Sequence, residues 1–381
     1  MITRLFTIRK IKMTKNLSFL NAKKALLLNF TASSYHWGCY GTSMEIYQSL
    51  LEENYYVEII SVDFTHCTSP TVEKISDFDD QEFFKNFRQE NLSLVQSIYH
   101  SDIIIVNGEG TLHRLGKGSL NLLYFMHISK KYFNKKIHLI NFSCFPNGDE
   151  SSPEGNTKIY PAIFCHLDTI TPREKITNKI LESSGIRAKQ SFDCLPRFLS
   201  RHNYTNCHKP KGNILVTGGV HFNERRYKLL LNFIEFFLKK DVPVTFLLGA
   251  HFSPAQEDLM LQKRLKENPD LSSLRIAQAQ SMEQWVDEFK TASFLFSARF
   301  HHSIAALSIG TPFRYLSSNT PKIPAALETI DENYNDFCID ENDGMALIDA
   351  AEKTLSKPTS ISSEARVKRM LSLANVNFVN L

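Results

Sequence analysis

The chain has 381 residues, 43% of them hydrophobic, and its 44 basic and 40 acidic side chains leave a formal charge of only +4. That length and apolar content suit two ordinary domains, and charge so mixed in sign excludes the dense basic face of a nucleic-acid-binding protein. The cysteines, Cys39, Cys67, Cys144, Cys165, Cys194, Cys207 and Cys338, are odd in number and form no Cys-x-x-Cys pair, which points to a reduced, cytoplasmic setting. Neither Cys165-His166 nor Cys207-His208 has metal-ligand spacing, so no metal and no other cofactor is expected.

The opening stretch, MITRLFTIRKIKMTKNLSFLNAKK, is basic throughout, and the first acidic residue of the chain is Glu45. It lacks the apolar run of roughly 7–15 residues of a signal peptide and the roughly 20 of a membrane helix. Residues 1–24 therefore read first as a solvated basic tail. A peripheral contact with the anionic inner face of a membrane, or upstream sequence before a start at Met13, are the alternatives.

From there short apolar runs alternate with amphipathic segments, the grammar of parallel strands joined by crossover helices. KALLLNF predicts a buried strand, TASSYHWGCYG a loop, and TSMEIYQSLLEEN a helix. YYVEIISVD is the next strand, DDQEFFKNFRQENLSLVQSIYHS is mostly helical, and DIIIVNGEG is a strand running into a glycine turn. A helix near SLNLLYFMHISKKYF, the strand KIHLINFS and a strand-helix pair at DTITPREKITNKILESSGI complete a first domain, residues 25–205.

The polar segment RHNYTNCHKPKG reads as a linker. Strands NILVTGG, VPVTFLLGA, SLRIAQA and SFLFSARF then alternate with helices RRYKLLLNFIEFFLKK, SPAQEDLMLQKRLKEN and SMEQWVDEFKTA, giving a second domain over residues 206–350. Residues 351–381, with SSEARVKRMLSLANVNF, read as a terminal amphipathic helix that packs back across the first domain. The expected fold class is α/β, two Rossmann-like domains facing a cleft, so the loops after strands are where a ligand belongs.

Three such loops carry unusual residues. In Ser33–Ser43, Gly38 and Gly41 permit close backbone approach, and Thr42 or Ser43 can cap the following helix, whose free amides would seat an anion. An ordinary glycine turn feeding a helix fits the same residues. In VNGEGTLH, Glu109 stands between Gly108 and Gly110 at a strand end, a setting that suits a general base or an acceptor for a sugar hydroxyl. The bland reading is a cap with Glu109 paired to a surface lysine. In SARFHHSIAALSIGTPF, Arg299 offers a planar fork for carboxylate or phosphate oxygens, and His301 or His302 can exchange a proton near neutrality. All three at one strand-to-helix corner favour a site for a small anion over separate packing roles.

The stretches VNGEGTLH, ARFHHSIAALSIGTPF, LSSNTPKI and, more loosely, HWGCYGTS together resemble the polysaccharide pyruvyl transferase family, in matching order over roughly residues 25 to 330. The resemblance implies a glycosyltransferase-B-like fold. It also implies transfer of the enolpyruvyl unit of phosphoenolpyruvate to hydroxyls of a sugar or lipid-linked glycan acceptor, forming a pyruvate ketal in polysaccharide biosynthesis for the cell envelope. By position, Arg299 and His301 with Phe300 between them match the family's donor-binding motif. Arg173 in TPRE matches a second arginine, and His113 is a further donor-side residue. Gly38, Gly108 and His302 are read as contacts to substrate. The first loop departs from the commoner form, carrying His36, Trp37 and Cys39 where Asn and Asp flank the glycine, which leaves its role open. Two arginines aimed at one small volume suit a donor with both carboxylate and phosphate. His301 is then assigned to donor binding and proton delivery and Glu109 to the acceptor hydroxyl, with the reverse assignment open; no metal is demanded. A nucleotide-sugar-dependent glycosyltransferase of the same layout and a non-catalytic scaffold are the alternative classes.

Overall fold

A computed structural model describes residues 22–33, 36–145, 158–219, 223–249, 256–318, 320–357 and 364–379. The basic tail before residue 22, with its membrane-contact reading, lies outside the described residues.

The first sheet contains β1 (Lys24–Phe30), β2 (Tyr56–Ser61), β3 (Ile103–Glu109), β4 (Lys136–Phe142) and β5 (Thr169–Pro172), all parallel in the order β2-β1-β3-β4-β5. Around it lie α1 (Trp37–Glu52), α2 (Val62–Cys67), α3 (Gln81–Glu90), α4 (Leu92–His100), α5 (Lys117–Lys131), α6 (Ile159–Phe164), α7 (Lys175–Ser183) and α8 (Leu195–Arg201). The second sheet contains β6 (Asn213–Gly219), β7 (Val244–Leu247), β8 (Arg275–Ala277), β9 (Ala292–Ala298) and β10 (Phe313–Tyr315), parallel in the order β10-β9-β6-β7-β8. Its helices are α9 (Glu224–Leu238), α10 (Gln256–Glu267), α11 (Met282–Thr291), α12 (Phe300–Ile309), α13 (Lys322–Thr329), α14 (Gly344–Ser356) and α15 (Glu364–Asn375).

Parallel strands buried on both faces need apolar residues at every position, and β3 shows the result. Ile104 and Val106 face one core with Phe87 and Phe125, while Ile103 and Ile105 face another with Ile46 and Leu50 of α1. Strand β9 divides the same way, Phe294 and Phe296 to one side, Leu295 to the other. In each sheet the chain order reverses beside the first strand, between β1 and β3 and between β6 and β9. The carboxyl ends of strands at such a reversal form a ready-made crevice.

The structure moves several expected boundaries. Helix α1 starts at Trp37 rather than after the second glycine, because the His36 side chain caps it by accepting from the Cys39 amide at 3.4 Å. Thr42 and Ser43, expected as caps, are buried inside the helix and bond to Asp193 and Thr31 instead. The boundary at residue 350 cuts α14, whose Leu347, Ile348 and Ala351 belong to the second domain's core. Helix α8, just before the linker, packs its Leu195, Phe198 and Leu199 with Leu215, Trp285 and Phe300, so it joins the two domains rather than ending the first.

After α15 the chain reaches the first domain through Asn377, 1% exposed. Its Oδ1 accepts from the Asn141 amide at 3.1 Å, the Thr171 hydroxyl at 2.8 Å and the Ser191 hydroxyl at 3.0 Å, and its Nδ2 donates to the Phe192 carbonyl at 2.8 Å. Side-chain satisfaction of several buried groups by one residue makes this crossing specific as well as adhesive.

Candidate active site

Loops from both strand-order reversals enclose a cavity of about 750 Å³. Its first-domain wall carries His36 and Cys39 from the start of α1, Glu109 and His113 from the end of β3, and Arg173 from the end of β5. Arg299, Phe300 and His301 at the β9–α12 corner and Lys322 at the start of α13 form the facing wall.

Arg173 and Asp193 are 2% and 1% exposed and meet at 2.9 Å between Nη1 and Oδ2. The Arg173 Nε donates to Ser143 Oγ at 3.0 Å, and its guanidinium carbon lies 4.3 Å from the Phe300 ring centre, so an arginine of one domain stacks on an aromatic of the other. His301 brings Nε2 to 3.3 Å from the same Asp193 Oδ2. Burial alone would raise the Asp193 carboxyl; the His301 and Arg173 cations outweigh it and hold that carboxyl below its ordinary range. The Leu195 amide and the Thr42 hydroxyl satisfy Oδ1 at 2.8 and 3.2 Å.

Arg299 is the N-cap residue of α12 but makes no side-chain cap bond. Its guanidinium instead runs over the backbone of Gly249, where an added Cβ would meet Nε at 2.4 Å, and reaches Asp258 Oδ1 at 2.5 Å. Only glycine leaves room for that path. Asp258 is anchored in turn by the Gly249 amide at 2.9 Å, and Arg299 Nε has no hydrogen-bond partner among the described residues. One face of the fork is therefore committed to Asp258 while another donor remains for a ligand.

Glu109 adopts φ +39°, a left-handed conformation that a side chain with a Cβ disfavours. It is 3% exposed and its Oε1 has no partner among the described residues. Strain together with an unmet buried acceptor is characteristic of groups held for a ligand. His113 nearby is pushed down to about 3, by burial first and by Lys322 and Arg173 next, so its ring is neutral at pH 7. Lys322 is pushed down to about 8, again by burial first and then by Arg173. As the first residue of α13 it also opposes the positive end of that helix. An anion placed beside it offsets these penalties on its charge. Burial, followed by the nearby Glu109 carboxylate, raises the Cys39 thiol well above its ordinary value.

The residues singled out from sequence thus divide. Glu109, His113, Arg173, Arg299, Phe300 and His301 share one cavity. His302 lies elsewhere: α12 turns its ring into the core against Trp285 and Phe289, with centres at 5.8 and 5.4 Å, and burial pushes it well down from its ordinary value. Gly38 and Gly108 are packing residues, since a Cβ at Gly38 would lie 2.3 Å from the His301 Cβ and one at Gly108 2.5 Å from the Phe142 Cβ. Gly38 thus lets α1 close onto α12. Sequence reading missed Lys322, although NTPKI was in view, and missed Asp193 and Asp258, which sit in unremarkable contexts and acquire meaning only through their arginines.

Two parallel α/β domains with a cavity at both chain reversals define a glycosyltransferase-B-like protein, and solved structures of that architecture superpose over nearly the whole chain. The UDP-GlcNAc 2-epimerase of Methanocaldococcus jannaschii, in complex with UDP-GlcNAc and UDP, is 14% identical over 93% of this chain and 99% of its own, with a TM-score of 0.53. HepE of Anabaena in complex with UDP-glucose is 10% identical over 93% and 98%, TM-score 0.57, and a glycosyltransferase of Rickettsia africae is 15% identical over 94% and 100%, TM-score 0.52. At these identities the likeness is one of fold. No curated protein matches in sequence. The profile of the family described as Polysaccharide pyruvyl transferase matches residues 44–320, and the chain belongs to that family, which makes it a transferase-type enzyme. Among the described residues no helix is long and apolar enough to cross a membrane.

Proposed function

We propose that the protein transfers the enolpyruvyl unit of phosphoenolpyruvate to two hydroxyls of a sugar or lipid-linked glycan, producing a pyruvate ketal and inorganic phosphate. The observation that carries this reading is the convergence of Arg173, Arg299 and Lys322, drawn from both domains, on one cavity that also holds Glu109 and His301. A donor bearing carboxylate and phosphate at its two ends suits cations placed on facing walls.

In the proposed sequence, a sugar oxygen bonds to the central enol carbon as Glu109 takes its proton, and a proton reaches the methylene carbon from His301. The bond from the central carbon to the phosphate oxygen then breaks, with its electron pair leaving on phosphate beside the cations. A second sugar hydroxyl bonds to the resulting cationic carbon and gives up its proton to the departed phosphate, while the proton on Glu109 returns to His301 through solvent. Asp193 orients His301 from behind, and Arg173 is fixed by the same carboxylate.

A nucleotide-sugar donor is the competing reading, because HepE and the epimerase were crystallised with such ligands. Calorimetric titration with phosphoenolpyruvate, UDP-glucose and UDP-GlcNAc separates the two. Phosphoenolpyruvate is expected to bind, and Arg299→Ala to weaken it by about 10–100-fold, the worth of a charge-assisted hydrogen bond of roughly 1.5–3 kcal/mol. Binding of a UDP-sugar with no heat from phosphoenolpyruvate would overturn the proposal.

A further inference from the structure

Three side chains of metal-ligating type, two from the start of α1 and one from α12, meet in the wall of the cavity. Cys39 Sγ lies 3.5 Å from His36 Nε2 and 3.8 Å from His301 Nδ1, although His301 is 262 residues away. The ligand atoms of all three lie within 4.8 Å of one another. His36 and Cys39 are three residues apart across the first turn of α1, which places them on one face, and the close approach of α12 permitted by Gly38 delivers His301.

From this geometry we infer that His36, Cys39 and His301 form a binding site for a thiophilic divalent ion of the zinc class. Tetrahedral zinc with Zn–S of about 2.3 Å and Zn–N of about 2.0 Å sets sulfur and nitrogen ligands about 3.5 Å apart, close to both observed separations. One thiolate with two imidazoles also selects zinc-class ions over magnesium or calcium, which take oxygen ligands. The nitrogen of His301 turned away from Cys39 lies 3.3 Å from the buried Asp193 carboxylate, within ion-pair distance though outside hydrogen-bond geometry, which places beside it the kind of acceptor that supports a histidine ligand. A second observation points to a ligand at this place: the unpartnered Oε1 of the buried Glu109 lines the same part of the cavity.

Binding draws the two imidazole nitrogens, which lie within 4.8 Å, to about 3.3 Å of each other around a tetrahedral ion. Coordination through His36 Nε2 moves the ring proton to Nδ1 and gives up the long 3.4 Å cap to the Cys39 amide. The Cys39 thiol proton is released to solvent as the S–metal bond forms, and both imidazoles bind neutral. Three protein ligands leave the fourth tetrahedral position facing the cavity, the pattern of a site that shares its ion with water or an oxygen of the occupant. This inference concerns the ion alone and is read without the donor, but it is an alternative to proton delivery by His301, because a ring that holds the ion through Nδ1 with Nε2 toward Asp193 has no proton free to give.

The test is a titration of the full-length protein with Co²⁺, followed by Zn²⁺ displacement, in the presence of a phosphine reductant. One equivalent of Co²⁺ is expected to give a thiolate-to-cobalt charge-transfer band and the intense visible bands of tetrahedral cobalt, both abolished by Zn²⁺. Cys39→Ser is expected to remove the charge-transfer band and His36→Ala to weaken binding by at least about 10-fold. Both sites of substitution lie at a helix start, and circular dichroism of each variant confirms folding. Replacing the exposed Cys67 and Cys165 together is expected to leave the spectrum unchanged. Absence of a thiolate band in the wild type, or a band that survives Cys39→Ser, overturns the inference.

Discussion

Asp193→Asn is the sharpest perturbation of the site's foundation. The carboxylate accepts from Arg173 and faces His301 through Oδ2, and it accepts from the Leu195 amide and Thr42 through Oδ1. Asparagine keeps the shape and the Oδ1 contacts but presents an NH2 group to two donors. Removing one partner of a buried pair leaves the other charge uncompensated, at a cost of about 3–5 kcal/mol. That is roughly two to four decades in the folding equilibrium. Arg173→Met alone is expected to cost a similar amount by stranding Asp193, whereas the double variant should cost less than the sum by at least about 2 kcal/mol, since an apolar pair can occupy a desolvated site. Urea unfolding followed by tryptophan fluorescence suits the measurement, because Trp37 and Trp285 both lie in the core that joins the domains. The sign with pH follows from the depressed carboxyl: its contribution is complete above the unfolded value of about 4 and is lost as pH falls toward the lower folded value. The stability gap between wild type and Asp193→Asn should therefore narrow below about pH 4. Two single variants each costing under about 1 kcal/mol and adding without coupling would refute the buried cluster described here.

Further outcomes are expected at three residues. Gly38→Ala places a methyl 2.3 Å from the His301 Cβ, so α1 and α12 must separate; it should cost about 1–3 kcal/mol in a thermal melt and weaken ligand binding through displaced His301. Lys322→Met should reduce phosphoenolpyruvate affinity by about 10-fold or more in calorimetry. Without ligand, the folded Lys322 value of about 8 lies below the unfolded one, so wild-type stability should rise between pH 8 and 10 relative to Lys322→Met, a difference that paired urea titrations at the two pH values will read. Asn377→Ala strips the shared acceptor of Asn141, Thr171 and Ser191, and should cost about 2–4 kcal/mol in urea unfolding without changing affinity for phosphoenolpyruvate.

Strand-helix alternation carried the fold in the sequence because both faces of each sheet are covered, so runs such as Ile103 to Val106 are uniformly apolar and cannot be mistaken for loops. Arg299 and His301 were legible because polar residues at a strand-to-helix corner conflict with the local pattern. His302 shared that signal and misled, since adjacent residues on a helix point about 100° apart and only one of the two faces the cavity. The start of α1 was read late because two glycines suggest a turn, while their use is to let α12 and α8 approach: a Cβ at Gly41 would meet Leu195 at 2.7 Å. The meeting of Asp193 with His301 and the grouping of His36 and Cys39 with His301 depend on contacts across 100 residues or more, for which periodicity holds no information.

A crystal structure of the protein with phosphoenolpyruvate tests the central claim most directly. The ligand is expected in the interdomain cavity, its anionic ends on Arg173 or Lys322 and on Arg299, with the enol carbons between Glu109 and His301. Phosphoenolpyruvate bound outside that cavity, or bound in it without touching either arginine, would contradict the account.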